Sequence, residues 1–433
     1  VPGRELAGPR LRGPLDLPFD HDDVRVYLDN FFVDGILAPT TAVEPVVESS
    51  WFSVGIAGSR ASSADQRFFH LLSELGHSLP SADSATHQDW REFSLRWGTW
   101  VRLRWQTASS RRGKGDADAG ALESRVQSAF AEWIQRRFGA LATLPYLPSP
   151  VLGHHVPHFL AHQLGKPGTE RVALLVVDGM AIDQWRILRE SLDGFHIDEQ
   201  AIFSWIPTLT QVGRQAIFSG RIPLEFSSSI SGTHREAAHW SNFWQDRGLS
   251  ERSVAYVDPQ GDQEPTHSVM QRIADAATSK LAALGGVIGY IDQSLHHVGR
   301  GTSSLHAVVD EWSQSRELPN LVELLVGRGF AVFMTADHGN VHGRGFGKPN
   351  VGVTAEQRGV RAHVFRNKEL RDNAALAYPD AIKWSQRGLP DDYFALLAPF
   401  GACFLPSGKE SVSHGGIALE EVMVPFVRIS EAP

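Results

Sequence analysis

Residues 172–177 read VALLVV, an unbroken apolar run that stops at Asp178-Gly179. A strand with one wet face would alternate polar and apolar side chains. A run with no alternation suits a strand covered on both faces, as in a parallel sheet flanked by helices. The same texture returns in AIFSWIP (201–207), SVAYVD (253–258), GGVIGYID (285–292), GFAVFMTADHG (329–339), AHVFRN (362–367), ACFLP (402–406) and VMVPFVRI (422–429). Helical patterns such as SSLHAVVDEWSQ and LPNLVELLVGRG lie between them. The expectation is an α/β fold with a mostly parallel sheet flanked by helices.

The N-terminal third is different. HDDVRVYLDNFF, DQRFFHLLSELGHSL, HQDWREFSLRWGTWVRLRW and ALESRVQSAFAEWIQRRFGAL carry apolar residues at helical spacing. PYLPSPV, with its two prolines, marks an expected boundary near residue 150. We therefore expect a mainly helical region over 1–150 and a sheet-containing catalytic domain over 151–433. The opening VPGRELAGPRLRGPLDLP lacks Met and reads as a linker or cut edge of a longer protein.

Bulk composition excludes little. A formal net charge of −8 is unlike a nonspecific nucleic-acid binder. The lone cysteine, Cys403, rules out an internal disulfide and fits a reducing cytoplasm. No apolar stretch is long enough to span a bilayer. In DWREFSLRWGTWVRLRW, the aromatics Trp90, Phe93, Trp97, Trp100 and Trp105 fall at helical spacing. They are expected to pack inward, with the arginines outward, rather than to form a base-stacking platform. The RRGKG loop, with Arg111, Arg112 and Lys114, is expected to be solvated.

In parallel sheets, ligands gather beyond the carboxyl ends of the strands. Three apolar runs end in aspartate there: Asp178, Asp292 and Asp337. Histidines stand close by, at His296, His338 and, in SVSHGG, His414. One aspartate after a strand is an ordinary helix cap. Three in one cleft repel each other unless a cation balances them. Carboxylates with imidazoles suit Zn²⁺ or Mn²⁺. PTLTQVGRQAIFSG (207–220) adds two threonines at the mouth of a helical pattern. A threonine there is either a helix cap or a nucleophile activated by a metal. A two-metal site with a hydroxyl at a helix N-terminus is suited to phosphoryl transfer.

Taken in order, VALLVVDGMAIDQW, IPTLTQVGRQAIFSG, IDQSLHH, FMTADHGN and SVSHGGIALEEVMVPFV resemble the alkaline phosphatase superfamily. Within it they resemble the PglZ-domain family of bacterial phage-defence systems, of the BREX and phage growth limitation type. The resemblance covers about residues 150 to 430. It implies an alkaline phosphatase-like fold with two divalent cations, Zn²⁺ ahead of Mn²⁺. One would be held by Asp178, Thr210, Asp337 and His338, the other by Asp292, His296 and His414. Thr210 rather than Thr208 would be the nucleophile, as in the phosphodiesterase branch. QVGR follows it where that branch commonly has Phe-Pro-Asn, which bears on the substrate. Arg214 would contact the substrate phosphate.

The implied activity is a metal-dependent phosphodiesterase or nuclease acting through a phosphothreonine adduct. Other defence-system proteins would be its partners, and a nucleic acid or nucleotide diester its substrate, in the cytoplasm and away from membranes. The alternatives are a non-catalytic or nucleotide-sensing scaffold and a phosphomonoesterase.

Overall fold

A computed structural model of the protein describes residues 60–106, 116–261, 264–297, 301–349, 360–384 and 387–432. HDDVRVYLDNFF and the Arg111, Arg112 and Lys114 loop lie outside these residues. Three helices come first: α1 (Arg60–His77), α2 (His87–Gln106) and α3 (Asp116–Leu141). The chain divides into two compact units. One is Val1–His77 with Leu103–Leu122, in which Phe68, Leu71, Leu72, Leu75, Ala119 and Leu122 are buried. The other is Ser78–Arg102 with Glu123–Pro433, so the expected boundary near residue 150 falls inside it.

Within this larger unit, α2 buries Trp90, Phe93, Trp97 and Trp100. Trp90 meets Phe130 edge-on, with ring centroids 4.9 Å apart. These four thus make core, as helical spacing predicts, whereas Trp105 is only half-buried. Arg91 departs from the outward-facing expectation. It is buried, and its guanidinium donates to the Ala201 carbonyl at 2.6 Å and to Ser149 Oγ at 3.0 Å. A buried arginine is tolerable because such donors are all matched.

The rest of the unit begins α4 (Val156–Leu164), β1 (Val172–Val177), α5 (Ile182–Leu188), β2 (Phe195–Phe203), α6 (Thr210–Ser219) and α7 (Glu236–Gln245). There follow β3 (Val254–Val257), α8 (Thr266–Ala276), β4 (Ala283–Ile288), α9 (Tyr290–His297), α10 (Thr302–Gln314), α11 (Glu317–Gly327) and β5 (Ala331–Thr335). Next come β6 (Val341–Gly345), β7 (Ala362–Phe365), α12 (Lys368–Ala377), β8 (Ile382–Lys383) and β9 (Phe394–Leu397). β10 (Ala402–Cys403), β11 (Glu410–Ser413), the short helix α13 (Leu419–Val422) and β12 (Met423–Glu431) complete the helices and strands.

Six strands form the main sheet in the order β2-β12-β5-β1-β4-β3. β1 lies between β4 and β5 and is parallel to both. β3 is parallel to β4. β12 alone runs backwards, antiparallel to β5 and to β2. The sheet is of the expected class: mostly parallel, with helices around it. Every residue of β1 and β4 is buried, as an apolar run without alternation requires. Two smaller three-stranded sheets, β10-β6-β11 and β7-β9-β8, come from the segment between β5 and β12. Among the described residues, no helix is long and apolar enough to cross a membrane.

One expectation shifts. The run GVIGYID reads as a strand ending at an aspartate, but β4 stops at Ile288. Gly289 breaks the strand, and Asp292 sits in the first turn of α9 with Ile291 buried beside it. The apolar Tyr290 and Ile291 continue the hydrophobic pattern but belong to the helix.

Candidate metal centre

Asp178 follows β1 directly, and Asp337 follows β5 after Ala336. β1 and β5 are parallel neighbours, so their carboxyl ends carry both aspartates to one place. Asp337 Oδ1 accepts from the Gly179 amide at 3.2 Å. The Asp337 carbonyl accepts from Ser204 Oγ and packs against α6. That packing is close enough that a Cβ at Gly213 would lie 2.6 Å from the carbonyl. Gly213 is therefore what lets the helix bearing Thr210 approach the Asp337 turn.

Among the described residues, Asp178, Asp337 and His338 offer ligand atoms that all lie within 4.8 Å of one another. His338 Nε2 is 3.4 Å from Asp337 Oδ2 and 3.7 Å from Asp178 Oδ1. Thr210 Oγ1 lies 3.0 Å from His338 Nε2. Thr210 is the first residue of α6, so its hydroxyl stands where the helix offers free amides. Beside this group, His414 stacks on His338 with centroids 3.8 Å apart. Its Nε2 is 3.8 Å from Asp292 Oδ1. All six of these residues are buried.

Both histidine rings are fixed through Nδ1. His338 Nδ1 bonds the Gly339 carbonyl at 3.0 Å, and His414 Nδ1 bonds the Thr208 carbonyl at 2.8 Å. A carbonyl only accepts, so both protons sit on Nδ1 and both Nε2 lone pairs face inward. Burial lowers the His338 pKa and takes that of His414 to about 4. The rings are neutral at pH 7, as metal ligands must be. Asp178 Oδ1, Asp337 Oδ2 and His414 Nε2 are buried with no hydrogen-bond partner. Burial, then the charge of Asp178, pushes the Asp337 carboxyl well above its ordinary range. Acceptor atoms left bare in a buried cluster fit a bound cation. His296 lies on α9, four residues after Asp292, with its side chain outside the described residues, as is that of His297.

Residues 157–429 match the BREX system PglZ alkaline phosphatase-like domain, more than half of the chain. The chain belongs to the PglZ family. No curated protein matches this PglZ sequence. Several solved structures are similar to it. Murine ectonucleotide pyrophosphatase/phosphodiesterase 5, inactive and in complex with AMP, has a TM-score of 0.45 at 13% identity, over 59% of this chain and 87% of that one. Wild-type alkaline phosphatase PafA has a TM-score of 0.40 at 12% identity, over 62% and 92%. Phosphonoacetate hydrolase from Sinorhizobium meliloti 1021, in complex with phosphonoacetate, has a TM-score of 0.35 at 11% identity, over 60% and 89%.

The two threonines of this PglZ domain face different ways. Thr208 Oγ1 donates to the Gly416 carbonyl at 3.0 Å and accepts from the Gly415 amide at 2.9 Å. With its carbonyl on His414, Thr208 latches the His414 loop and leaves the centre to Thr210. Thr208→Val should cost about 1–3 kcal/mol, because a buried amide and carbonyl lose their partner. Denaturant unfolding checks this, and an unchanged midpoint would show the latch to be idle.

Arg214 is buried, one turn into α6. Its Nη1 donates to Asp178 Oδ2 at 3.3 Å, and its Nε donates to Glu236 Oε2 at 3.0 Å. Nη2 bonds the same Glu236 oxygen and Tyr256 Oη. Burial works against its charge, but Glu236, Tyr256 and Asp178 hold it firmly protonated. Sequence reasoning missed Glu236 and Tyr256. The only available signal was Glu236 in the first turn of a helix otherwise rich in aromatics.

Proposed function

We propose that this chain is a metal-dependent phosphohydrolase that cleaves phosphodiesters of nucleic acid or nucleotide type, with Thr210 as its nucleophile. It would work with other proteins of a bacterial anti-phage defence system, in the cytoplasm. The observation that carries this reading is a hydroxyl at a helix N-terminus, set among buried carboxylate and imidazole atoms that have no partner. Asp178, Thr210, Asp337 and His338 would hold one cation, and Asp292, His414 and His296 the other. Such a pair, Zn²⁺ or Mn²⁺, supplies charge neutralisation for the attacking and departing oxygens.

The chain's own groups do the rest. The Thr210 hydroxyl gives up its proton and attacks phosphorus. The P–O bond to one ester oxygen breaks, and an alcohol leaves. Water then displaces the threonine oxygen, releasing a monoester and restoring the hydroxyl. The free amides at the start of α6 face the phosphoryl oxygens. Arg214 is committed to Asp178 and Glu236, so we assign it to orienting Asp178 instead of gripping the phosphate. That favours a diester, with one negative charge, over a monoester that needs a further cation.

The test is an assay with bis- and mono-nitrophenyl phosphate, with Zn²⁺ or Mn²⁺ and with a chelator. Cation-dependent cleavage faster on the diester is expected. Faster cleavage of the monoester would replace the substrate assignment. A chain inert on both, with cation bound, would favour a scaffold. Cation at 100 times its Kd should also stabilise the fold by about 2.7 kcal/mol, and a melting temperature indifferent to chelation would sink the metal reading.

A further inference from the structure

We infer that Arg361 and Glu421 act as positioning residues, a buried brace that sets the His414 imidazole. The inference rests on His414 and His338 being metal ligands.

Both side chains are 0% exposed. Arg361 Nε donates to Glu421 Oε1 at 2.8 Å and Nη2 to Oε2 at 3.1 Å, a two-pronged pair. The remaining Nη1 donates to the Pro399 carbonyl at 3.2 Å and to that of Ala402. The Glu421 oxygens also accept from the Gly416 amide at 2.8 Å and the Ala418 amide at 2.9 Å. Every polar atom of the pair is thus used, the condition under which a buried ion pair is tolerated.

What the pair touches gives it its role. The Arg361 amide donates to the His414 carbonyl at 3.3 Å. The Glu421 carboxylate holds the amides two and four residues after His414. The Glu421 carbonyl accepts from the Gly339 amide at 2.9 Å, next to His338. The side chains of the pair therefore hold the His414 loop, while the His338 turn is held by the Glu421 backbone carbonyl, which no side-chain substitution removes. The ion pair also explains the glycine pair in SVSHGG. A Cβ at Gly416 would lie 2.8 Å from both Arg361 Nη2 and Glu421 Oε2. Gly415 has φ +125° and packs against Ala362, where its Cβ would meet the amide at 2.9 Å. The glycines are there to admit the brace.

The experiment titrates Zn²⁺ and Mn²⁺ calorimetrically into wild type, Arg361→Lys and Glu421→Gln. Lysine keeps the charge but cannot span both carboxylate oxygens. Groups that orient metal ligands typically govern affinity by 10- to 100-fold. The expected result is one of two binding events weakened by at least about 10-fold, with the other nearly unchanged. In a His414→Ala background, Arg361→Lys should add nothing, because the brace acts through that ring. Glu199→Gln, which breaks the separate Arg186 pair, should lower stability without touching either event.

Unchanged affinity in both brace variants would overturn the inference. So would equal weakening of both events, or an effect that persists without His414. If neither variant folds, the pair is part of the core fold and the inference also fails. A wild type that binds no divalent cation would instead remove the metal reading beneath it.

Discussion

Thr210→Ala is expected to abolish diester cleavage, by a factor on the order of 10³ or more, because it removes the attacking atom. The hydroxyl lies 3.0 Å from His338 Nε2, at the first residue of α6. The other nearby hydroxyl cannot replace it, since Thr208 Oγ1 is spent on Gly415 and Gly416. Thr210→Ser should keep much of the rate, with the same oxygen on a less restricted side chain. Cation binding should survive in Thr210→Ala, because Asp178, Asp337 and His338 still form a cluster. The informative measurement is single-turnover cleavage together with a search for a covalent adduct in quenched wild type. Residual activity within 10-fold of wild type would mean that water attacks directly and that the threonine only caps or ligates.

The second large effect falls on stability. Arg214→Met should cost about 3–5 kcal/mol, the usual penalty for leaving buried acids without their partner. Asp178 and Glu236 both face that guanidinium, and the Glu236 side chain is 0% exposed. Methionine fills much the same volume, so the loss would be one of charge compensation and not of packing. Removing the acid as well, in Arg214→Met with Glu236→Leu, should recover part of it. Denaturant unfolding with and without divalent cation reads this directly. A loss below about 1 kcal/mol would mean that the acids take up protons when the arginine leaves.

Much of this was legible in the sequence. VALLVV has no alternation, so its burial on both faces could be read directly. The Asp178 and Asp337-His338 placements followed from the ends of apolar runs. Other features have no local signature. Strand direction is set by which neighbours pair, and VMVPFVRI reads the same whether it runs forward or back. Thr208 and Thr210 share one short stretch, and only their partners in the SVSHGG loop tell them apart. Arg214 looks like a surface or phosphate-facing residue until Glu236, 22 positions later, folds beneath it. The glycines after His414 are explained by Arg361, more than fifty positions earlier, which spacing alone cannot connect. Helical spacing placed Trp90, Phe93, Trp97 and Trp100 correctly but not the half-buried Trp105, and gave no hint that Arg91 goes in with them.

The place of β12 in the sheet determines when such a chain becomes competent during its synthesis. Among the described strands, β2 has β12 as its one neighbour in the six-stranded order. The paired residues Phe203 and Met423 are 220 positions apart. β1, β3, β4 and β5 can pair as they leave the ribosome, while β2 must wait for translation to reach 423–431. Contacts so distant in sequence form late and slowly. His414 and Glu421 also emerge only near that point. A nascent chain therefore carries Asp178, Thr210 and His338 without a finished pocket over the 76 positions from His338 to His414. That order of assembly leaves the Asp178, Asp337 and His338 cluster without its His414 neighbour until the sheet closes.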